Sequence, residues 1–327
     1  MTWRRMGALL AALTIVSCST GGDEGAGGTS STEITTPATD AEETTETTTD
    51  TSPDTVPVDL AVDQCPGTSL GTFPLAIDAA SAGGSEPAAF VDVATSPAGI
   101  VFVASEQTLY CIDDSDVYEV QSLDPSALPD AAEEPSLAAV AVDVDGAPLA
   151  IEHLNPRVLR LVDGGFEIVS GSDEPAIGGS RSATVGPDGT IYMTGLGPSG
   201  STFVWAIRGG TPEPFAGTGP NGTAGDGGPA LDANFYEPEG LAAPSDGSLL
   251  VADRNNQRVV RIGPDGVVET LAGGRRFDDR PDSEALEAPS DVAVDLDGEV
   301  LVLDRPPSAD GPPGIYRIVA PDEVELV

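Results

Sequence analysis

Arginine and asparagine side chains in loop-like stretches of the second half of the chain are the residues best suited to hold a ligand. Arginine presents its N–H donors in a fixed fork, which binds a carboxylate or phosphate through two hydrogen bonds. The chain carries a formal net charge of −40 and contains no lysine, so grouped arginines would form a local basic patch that captures an anion. The candidate ligand-face residues are Arg254, Asn255, Asn256, Arg275, Arg276, Arg280 and Arg305.

Some arginines of the same region also have a structural interpretation. Arg157 and Arg258 each precede a β-branched or leucine-rich run, and both recur at similar positions in the chain. Arginines placed in this way can pair with carboxylates such as Asp253 between strands, and the remaining arginines would then be solvated loop charges. The sequence leaves both interpretations open.

The chain offers no convincing catalytic set. His153 is the only histidine, so a histidine-rich zinc site is excluded and a Ser-His-Asp triad would depend on one short loop. Residues 143–146 and 295–298 begin like calcium loops, but the further oxygen ligands and the distal glutamate do not follow. These segments are predicted to be Asp-Gly turns, and no catalytic residue, metal site or cofactor is assigned.

The acidity of the chain limits its partners. A surface with so large an excess of Asp and Glu repels the phosphates of nucleic acids and anionic lipid headgroups. We therefore expect no nucleic-acid partner.

The N-terminus has the features of an export signal. Arg4 and Arg5 precede an apolar run from Ala8 to Val16, which is too short to span a bilayer. The run ends at Cys18 in a sequence that resembles the bacterial lipobox, in which the cysteine is lipidated. The prediction is a signal peptide over residues 1–17 and a lipid anchor at Cys18 on the outer face of the cell membrane; the alternative is an ordinary signal peptide with an incidental cysteine.

Residues 18–57 form a separate segment rich in Thr, Pro, Gly and acidic residues. Almost no large apolar side chain is present, so the segment cannot bury a core and is predicted to be a disordered tether. Its charge and proline content favour extended conformations, which hold the following domain away from the membrane.

The remaining cysteines predict a disulfide. Export places the chain in an oxidising compartment, and lipidation of Cys18 leaves Cys65 and Cys111 as a possible pair. The alternative is two buried free thiols.

Residues 58–327 are predicted to be all-β. Short β-branched runs alternate with Gly, Pro and Asp, and five strand-turn-strand segments end their turns in Gly99, Gly146, Gly189, Gly247 and Gly298. These glycines lie 43 to 58 residues apart, a period that suits the four-stranded antiparallel blades of a β-propeller. We expect five blades, with six as the alternative. Residues 58–86 are too few for a blade and are expected to form an extra strand or cap, tied to the first blade by the Cys65–Cys111 disulfide.

The segment 215–273 resembles the NHL repeat. It contains Pro238-Glu-Gly-Leu-Ala242, then Asp253-Arg-Asn-Asn256, then Arg258-Val-Val-Arg261-Ile262 and Thr270-Leu-Ala-Gly273. The resemblance implies a propeller and raises an enzymatic alternative, since related propellers include metal-dependent lactonases and lyases with a site at the channel mouth. Glu239, Asp253, Asn255 and Asn256 carry the oxygen atoms that such a calcium site would use.

Because successive strands of a blade run in opposite directions, consecutive loops lie on opposite faces of a propeller. The loop after Asp253 and the connection 273–289 lie on one face, together with the candidate ligand-face residues. The leading hypothesis is a binding or scaffold module for an extracytoplasmic protein, peptide or glycan. The alternatives are the metal-dependent hydrolase or lyase and an envelope protein with a structural role only.

Overall fold

A computed structural model describes residues 65, 68–69, 90–112, 117–124, 128, 135–153, 157–162, 165–170, 177–197, 200–274, 286–295, 297–306, 313–321 and 323–327. The predicted signal peptide, lipidation site Cys18 and tether lie outside these residues, as do Arg275, Arg276 and Arg280. No helix within the described ranges is long and apolar enough to cross a membrane.

Strands that follow one another in the chain pair antiparallel in all five blades, and the first blade has one additional strand. The first blade consists of β1 (Thr68–Ser69), β2 (Phe90–Thr95), β3 (Val101–Ser105), β4 (Thr108–Ile112) and β5 (Val117–Ser122). The second consists of β6 (Leu137–Val142), β7 (Pro148–Glu152), β8 (Val158–Val162) and β9 (Gly165–Ser170). The third consists of β10 (Ala183–Val185), β11 (Ile191–Leu196), β12 (Thr202–Arg208) and β13 (Thr211–Gly219).

The fourth and fifth blades complete the set of five sheets in the described residues. The fourth consists of β14 (Pro238–Ala242), β15 (Leu249–Asp253), β16 (Arg258–Ile262) and β17 (Val268–Gly273), and the fifth of β18 (Pro289–Val294), β19 (Val300–Asp304), β20 (Gly314–Ala320) and β21 (Glu323–Leu326). Two single-turn 3-10 helices, Ala230–Asp232 and Arg254–Asn256, are the helical elements of this part of the chain. The expectation of an all-β propeller with five blades is confirmed.

The turns between the first two strands of each blade follow their sequence. Gly146 closes one of them at a φ of 85°, in the left-handed region that glycine enters without strain. The Asp143 carboxylate accepts hydrogen bonds from the backbone N–H groups of Asp145 and Ala147, at 2.9 and 3.1 Å. The Asp295 turn has the same arrangement, so the prediction of Asp-Gly turns is confirmed.

The cores lie between blades rather than within them. Four apolar clusters join blade 1 to 2, 2 to 3, 3 to 4 and 4 to 5. All five residues of β15 are buried, because its two faces contact different neighbouring blades. A single blade exposes both faces of its sheet, so the stacking of neighbours supplies most of the burial.

The predicted extra strand and disulfide are both present. β1 pairs antiparallel with β5 at the outer edge of the first blade, with Thr68 opposite Glu119. Cys65 and Cys111 form a disulfide with their Cα atoms 5.6 Å apart, and Cys111 is fully buried. The bond therefore fastens the segment before β1 to the centre of the first blade.

Removing this disulfide is expected to lower the free energy of unfolding by about 2–4 kcal/mol, because the bond restricts the unfolded chain. The two cysteines are 46 residues apart, which places the effect toward the upper end of that range. Urea unfolding of the Cys65→Ser variant, compared with the oxidised and the reduced wild-type protein, measures it. Equal stability of all three proteins would contradict the prediction.

Candidate functional site

A cavity of about 460 Å³ lies at the centre of the five blades. Its wall is made by residues at the start of the inner strands, or just before it, in all five blades and by residues that directly follow second strands. It opens on the face that carries the loop after Asp253, which is the face to which the sequence assigned the candidate ligand residues. A volume of this size is typical of small-molecule sites.

The blade repeat explains which residues line the cavity. The position seven residues before each turn glycine is occupied by Asp92, Ala139, Ser182, Gly240 and Asp291. The position seven residues after it is occupied by Glu106, His153, Leu196, Arg254 and Arg305. Four residues of each set line the cavity, so the same two positions in the repeat build the wall from different blades.

Three arginines from three successive blades converge on one carboxylate; we call Arg181, Arg254 and Arg305 the arginine triad. Arg181 and Arg254 each place a terminal guanidinium nitrogen on Glu239 Oε1, at 2.8 and 3.2 Å. Arg305 Nη2 lies 3.7 Å from Glu239 Oε2, and its Nε donates a 2.7 Å hydrogen bond to Ser290 Oγ. Three guanidinium groups thus meet at one carboxylate on the wall of the cavity.

Two further carboxyl groups in the cavity have raised pKa values. Burial, reinforced by the charge of Asp291, raises the pKa of Asp92 from 3.8 to about 8, against the hydrogen bonds it accepts from Val140 and Val93. Burial also raises the pKa of Asp291 to about 6; the Val292 N–H and Arg305 oppose this shift. At neutral pH Asp92 is therefore mainly protonated while Asp291 is mainly ionised.

These two aspartates should make the free energy of unfolding depend on pH. Between pH 3.8 and about 8 the folded protein keeps a proton on Asp92 that the unfolded chain loses, so stability falls as pH rises through this window. We expect Asp92→Asn to flatten the slope above pH 6, while Asp291 still contributes below pH 6. The slopes are read from urea unfolding at several pH values.

Asp265→Asn is a matched control for that experiment, because Asp265 also accepts a backbone N–H, that of Val267 at 3.2 Å, but lies on an exposed turn. Its pH profile should follow that of the wild type. A profile of Asp92→Asn that also followed the wild type would show that Asp92 titrates normally in the folded protein.

His153 lies on the cavity wall, but its ring is held by the backbone. Nδ1 lies 2.8 Å from the carbonyl oxygen of Ser180, to which it can only donate. This hydrogen bond therefore orients the ring through a backbone carbonyl that belongs to the next blade.

Asn255 and Asn256 are not among the residues that line this cavity. The Asn255 backbone N–H donates to Tyr236, and the Asn256 side-chain amide donates to Asp253 Oδ2 and to the carbonyl of Gly222, at 2.7 and 2.6 Å. Of the predicted ligand-face residues, the structure thus brings Arg254 and Arg305 together, and the part played by the two asparagines in ligand binding stays a prediction.

The structural interpretation of Arg157 and Arg258 is supported by their burial. The Arg258 side chain is 2% exposed; its Nε donates to Asp253 Oδ2 at 2.8 Å, and its other nitrogens bond the backbone carbonyls of Asn234 and Thr223. Arg157 is equally enclosed, with Nε 3.9 Å from Glu152 Oε2. Arg258 therefore fastens two loop carbonyls to the end of β15, and Arg157 pairs with the last residue of β7.

The two carboxylates proposed for a calcium ion are engaged elsewhere. Asp253 accepts hydrogen bonds from Arg258, Asn256 and the Tyr236 backbone, and Glu239 is surrounded by the arginine triad. Within the described ranges no three His, Cys, Asp or Glu side chains are grouped closely enough to hold a metal. Asp253 and Glu239 therefore do not fit the calcium site that the resemblance suggested.

Sequence reasoning missed Asp92 and Asp291 as cavity residues. Their common position seven residues before a turn glycine was visible in the aligned repeats, and it is the signal that identifies them. The sequence gives no sign that Arg181 and Glu239 meet, because no pattern within one repeat shows which residues of neighbouring blades come together.

Five antiparallel blades around a central cavity define the protein as a β-propeller. The NHL repeat family model matches residues 235–262, which contain Glu239, Asp253, Arg254 and Arg258. One segment of the chain, in the fourth blade, therefore matches the NHL repeat, and the fold as a whole is a five-bladed β-propeller. No curated protein matches the sequence.

Solved structures with a similar fold include two proteins of unknown function and a lyase. A protein from Bacteroides thetaiotaomicron is 19% identical with a TM-score of 0.51, over 71% of this chain and 57% of its own length. A streptogramin B lyase is 18% identical with a TM-score of 0.51, over 73% and 68%. A protein from Bacteroides caccae is 10% identical with a TM-score of 0.50, over 74% and 83%. The chain thus spans little more than half of the first of these, and identities this low establish the fold alone.

Proposed function

We propose that the protein is a binding module of the cell envelope that holds a carboxylate-bearing group of an extracytoplasmic protein, peptide or glycan in the central cavity. The observation that supports this proposal is the arginine triad around Glu239. Three guanidinium groups converge there, and grouped guanidinium groups attract a further carboxylate.

The location of the site favours binding of a group presented from outside. The triad is built from residues of three blades, so the scaffold fixes their positions relative to one another. Arg254 and Arg305 are largely buried, which strengthens their interaction with an anion compared with fully solvated arginines. Anchoring at Cys18 through a tether of residues 18–57 would present this face to the extracytoplasmic space.

Binding of carboxylate probes to the full chain tests the proposal. The probes are N-acetyl-trialanine and galacturonate, each compared by calorimetry with its uncharged counterpart, N-acetyl-trialanine amide and galactose. We expect the carboxylate forms to bind tighter, and Arg254→Gln to weaken them by roughly tenfold, since a hydrogen bond to a charged group contributes about 1.5–3 kcal/mol.

Arg261→Gln is the matched control for Arg254→Gln. Arg261 is in the same blade and also pairs with a carboxylate, that of Asp246 at 2.8 Å, but it lies outside the cavity of the triad. Equal affinity of acid and uncharged probes, or equal losses in the two variants, would overturn the proposal.

A second candidate function is a hydrolase or lyase with its site in the same cavity. Asp92 and Asp291 favour it, because one carboxyl group that holds a proton beside one that has lost it can serve as acid and base. Turnover of lactone or ester probes that is lost in Asp92→Asn and kept in Asp265→Asn would support the enzyme; binding without turnover supports the module.

A further inference from the structure

The cavity is divided into two regions of opposite charge. The arginine triad and Glu239 occupy the side formed by blades 3, 4 and 5. The carboxyl groups of Asp92, Glu106 and Asp291 line the side formed by blades 1 and 5. Arg305 contributes to the electrostatic environment of Asp291, so the two regions adjoin at the fifth blade.

Asp92 lies in the acidic region of the cavity, on the first blade. The charge that acts on it is the negative charge of Asp291, and its Oδ2 is fixed by the Val140 N–H of the next blade at 3.0 Å. A carboxyl group held in place in this way ionises more readily when a cation is brought to it. The remaining charged or titratable side chains on the wall are Glu106, His153, Arg181, Glu239, Arg254, Asp291 and Arg305.

An organic cation fits this region better than a metal ion. The described residues contain no group of three His, Cys, Asp or Glu that could surround a metal. An ammonium group needs fewer partners, since it donates three hydrogen bonds and can share them between carboxylates and backbone carbonyls.

We infer that the cavity binds a small zwitterion, a molecule that carries a free carboxylate and a free ammonium group, such as a short peptide with both ends unblocked. The carboxylate contacts the arginine triad and the ammonium group contacts Asp92 and Asp291. This inference rests on the proposed function, because the carboxylate half is the same site. The cavity of about 460 Å³ is large enough for a ligand of this kind.

The inference implies that a proton is released on binding. Asp92 is protonated at neutral pH in the free protein, and an ammonium group beside it favours the ionised carboxylate. The proton that leaves Asp92 is taken up by the buffer, so the binding enthalpy depends on the ionisation enthalpy of that buffer.

Calorimetry of the full chain with four trialanine probes at millimolar concentration tests the inference. The probes are trialanine with both ends free, its N-acetyl form, its C-terminal amide and the doubly blocked form. We expect the free peptide to bind at least roughly tenfold tighter than either singly blocked form, with proton release at pH 7. In Asp92→Asn the advantage of the free amino group and the proton release should both disappear, whereas Asp265→Asn should match the wild type.

The outcomes separate this inference from the proposed function. If the N-acetyl form binds as tightly as free trialanine and no proton is released, the zwitterion is overturned while carboxylate binding stands. If none of the carboxylate forms binds better than the doubly blocked form, both are overturned. If only the free amino group matters, the acidic region is a cation site and the triad is not the partner of the carboxylate.

Discussion

Replacement of Arg258 by alanine is expected to lower the free energy of unfolding by about 3–5 kcal/mol, the cost of breaking a buried ion pair by removing one partner. The Asp253 carboxylate is fully buried, and burial raises its pKa while Arg258 opposes that rise. Without the guanidinium group, Asp253 keeps an uncompensated charge or takes up a proton. The backbone carbonyls of Asn234 and Thr223 lose their donors as well.

Urea unfolding followed by tryptophan fluorescence measures this effect. Trp205 is buried in the third blade, next to the blade that contains Arg258, and the only other tryptophan is Trp3 in the predicted signal peptide. Arg261→Ala on the same strand is the control, because its half-exposed ion pair with Asp246 contributes at most about 1 kcal/mol. A loss in Arg258→Ala no larger than that in Arg261→Ala would contradict the structural role.

The contacts of Asp253 and Arg258 could be predicted from the sequence, because they lie within one blade. Asp253 and Arg258 close the end of β15, while the Asp253 carboxylate also accepts the Tyr236 N–H and so holds the connection that enters the inner strand. Asp304 does the same in the fifth blade, where it accepts the N–H groups of Glu287 and Ala288. These contacts are local to one blade, so a spacing within one repeat is enough to predict them.

Contacts between blades could not be predicted in the same way. Glu239 belongs to the fourth blade, and two of its three arginine partners come from the third and fifth. Which of the loop arginines turn inward depends on side-chain direction, and a shift of one residue along a strand reverses it. Arg254 and Arg305 therefore line the cavity, while Arg258, only four residues after Arg254, is buried beneath a loop.

The acidic residues of the cavity also could not be predicted from the sequence. In the sequence, Asp92 and Asp291 look like ordinary residues at the start of strands. The sequence contains many other aspartates that do not line the cavity. Their raised pKa values arise from burial at the centre of five blades and, for Asp92, from the charge of the other aspartate, which lies on the blade at the opposite end of the chain. Only the closure of the propeller brings these two groups together.

Replacement of Glu239 by glutamine is expected to increase the affinity for carboxylate probes by roughly ten- to hundredfold. In the free protein Glu239 is the anion that the triad already holds, with contacts of 2.8, 3.2 and 3.7 Å to its three arginines. Opposite charges at such distances attract by about 4 kcal/mol near a protein surface. If the arginines give a ligand carboxylate even part of the attraction that they now give Glu239, the affinity rises by the expected ten- to hundredfold. Glutamine keeps the shape of the side chain and removes its charge.

Calorimetry with N-acetyl-trialanine, together with thermal unfolding to verify the fold, measures this gain. Glu299→Gln is the matched control, because Glu299 pairs with Arg317 at 2.8 Å away from the cavity, and its variant should bind the probe as the wild type does. A loss of affinity in Glu239→Gln, with the fold intact, would mean that Glu239 holds the arginines in a productive arrangement and does not compete with the ligand. A gain would show that the cavity regulates its own affinity through an internal carboxylate, which a ligand must outcompete or accommodate.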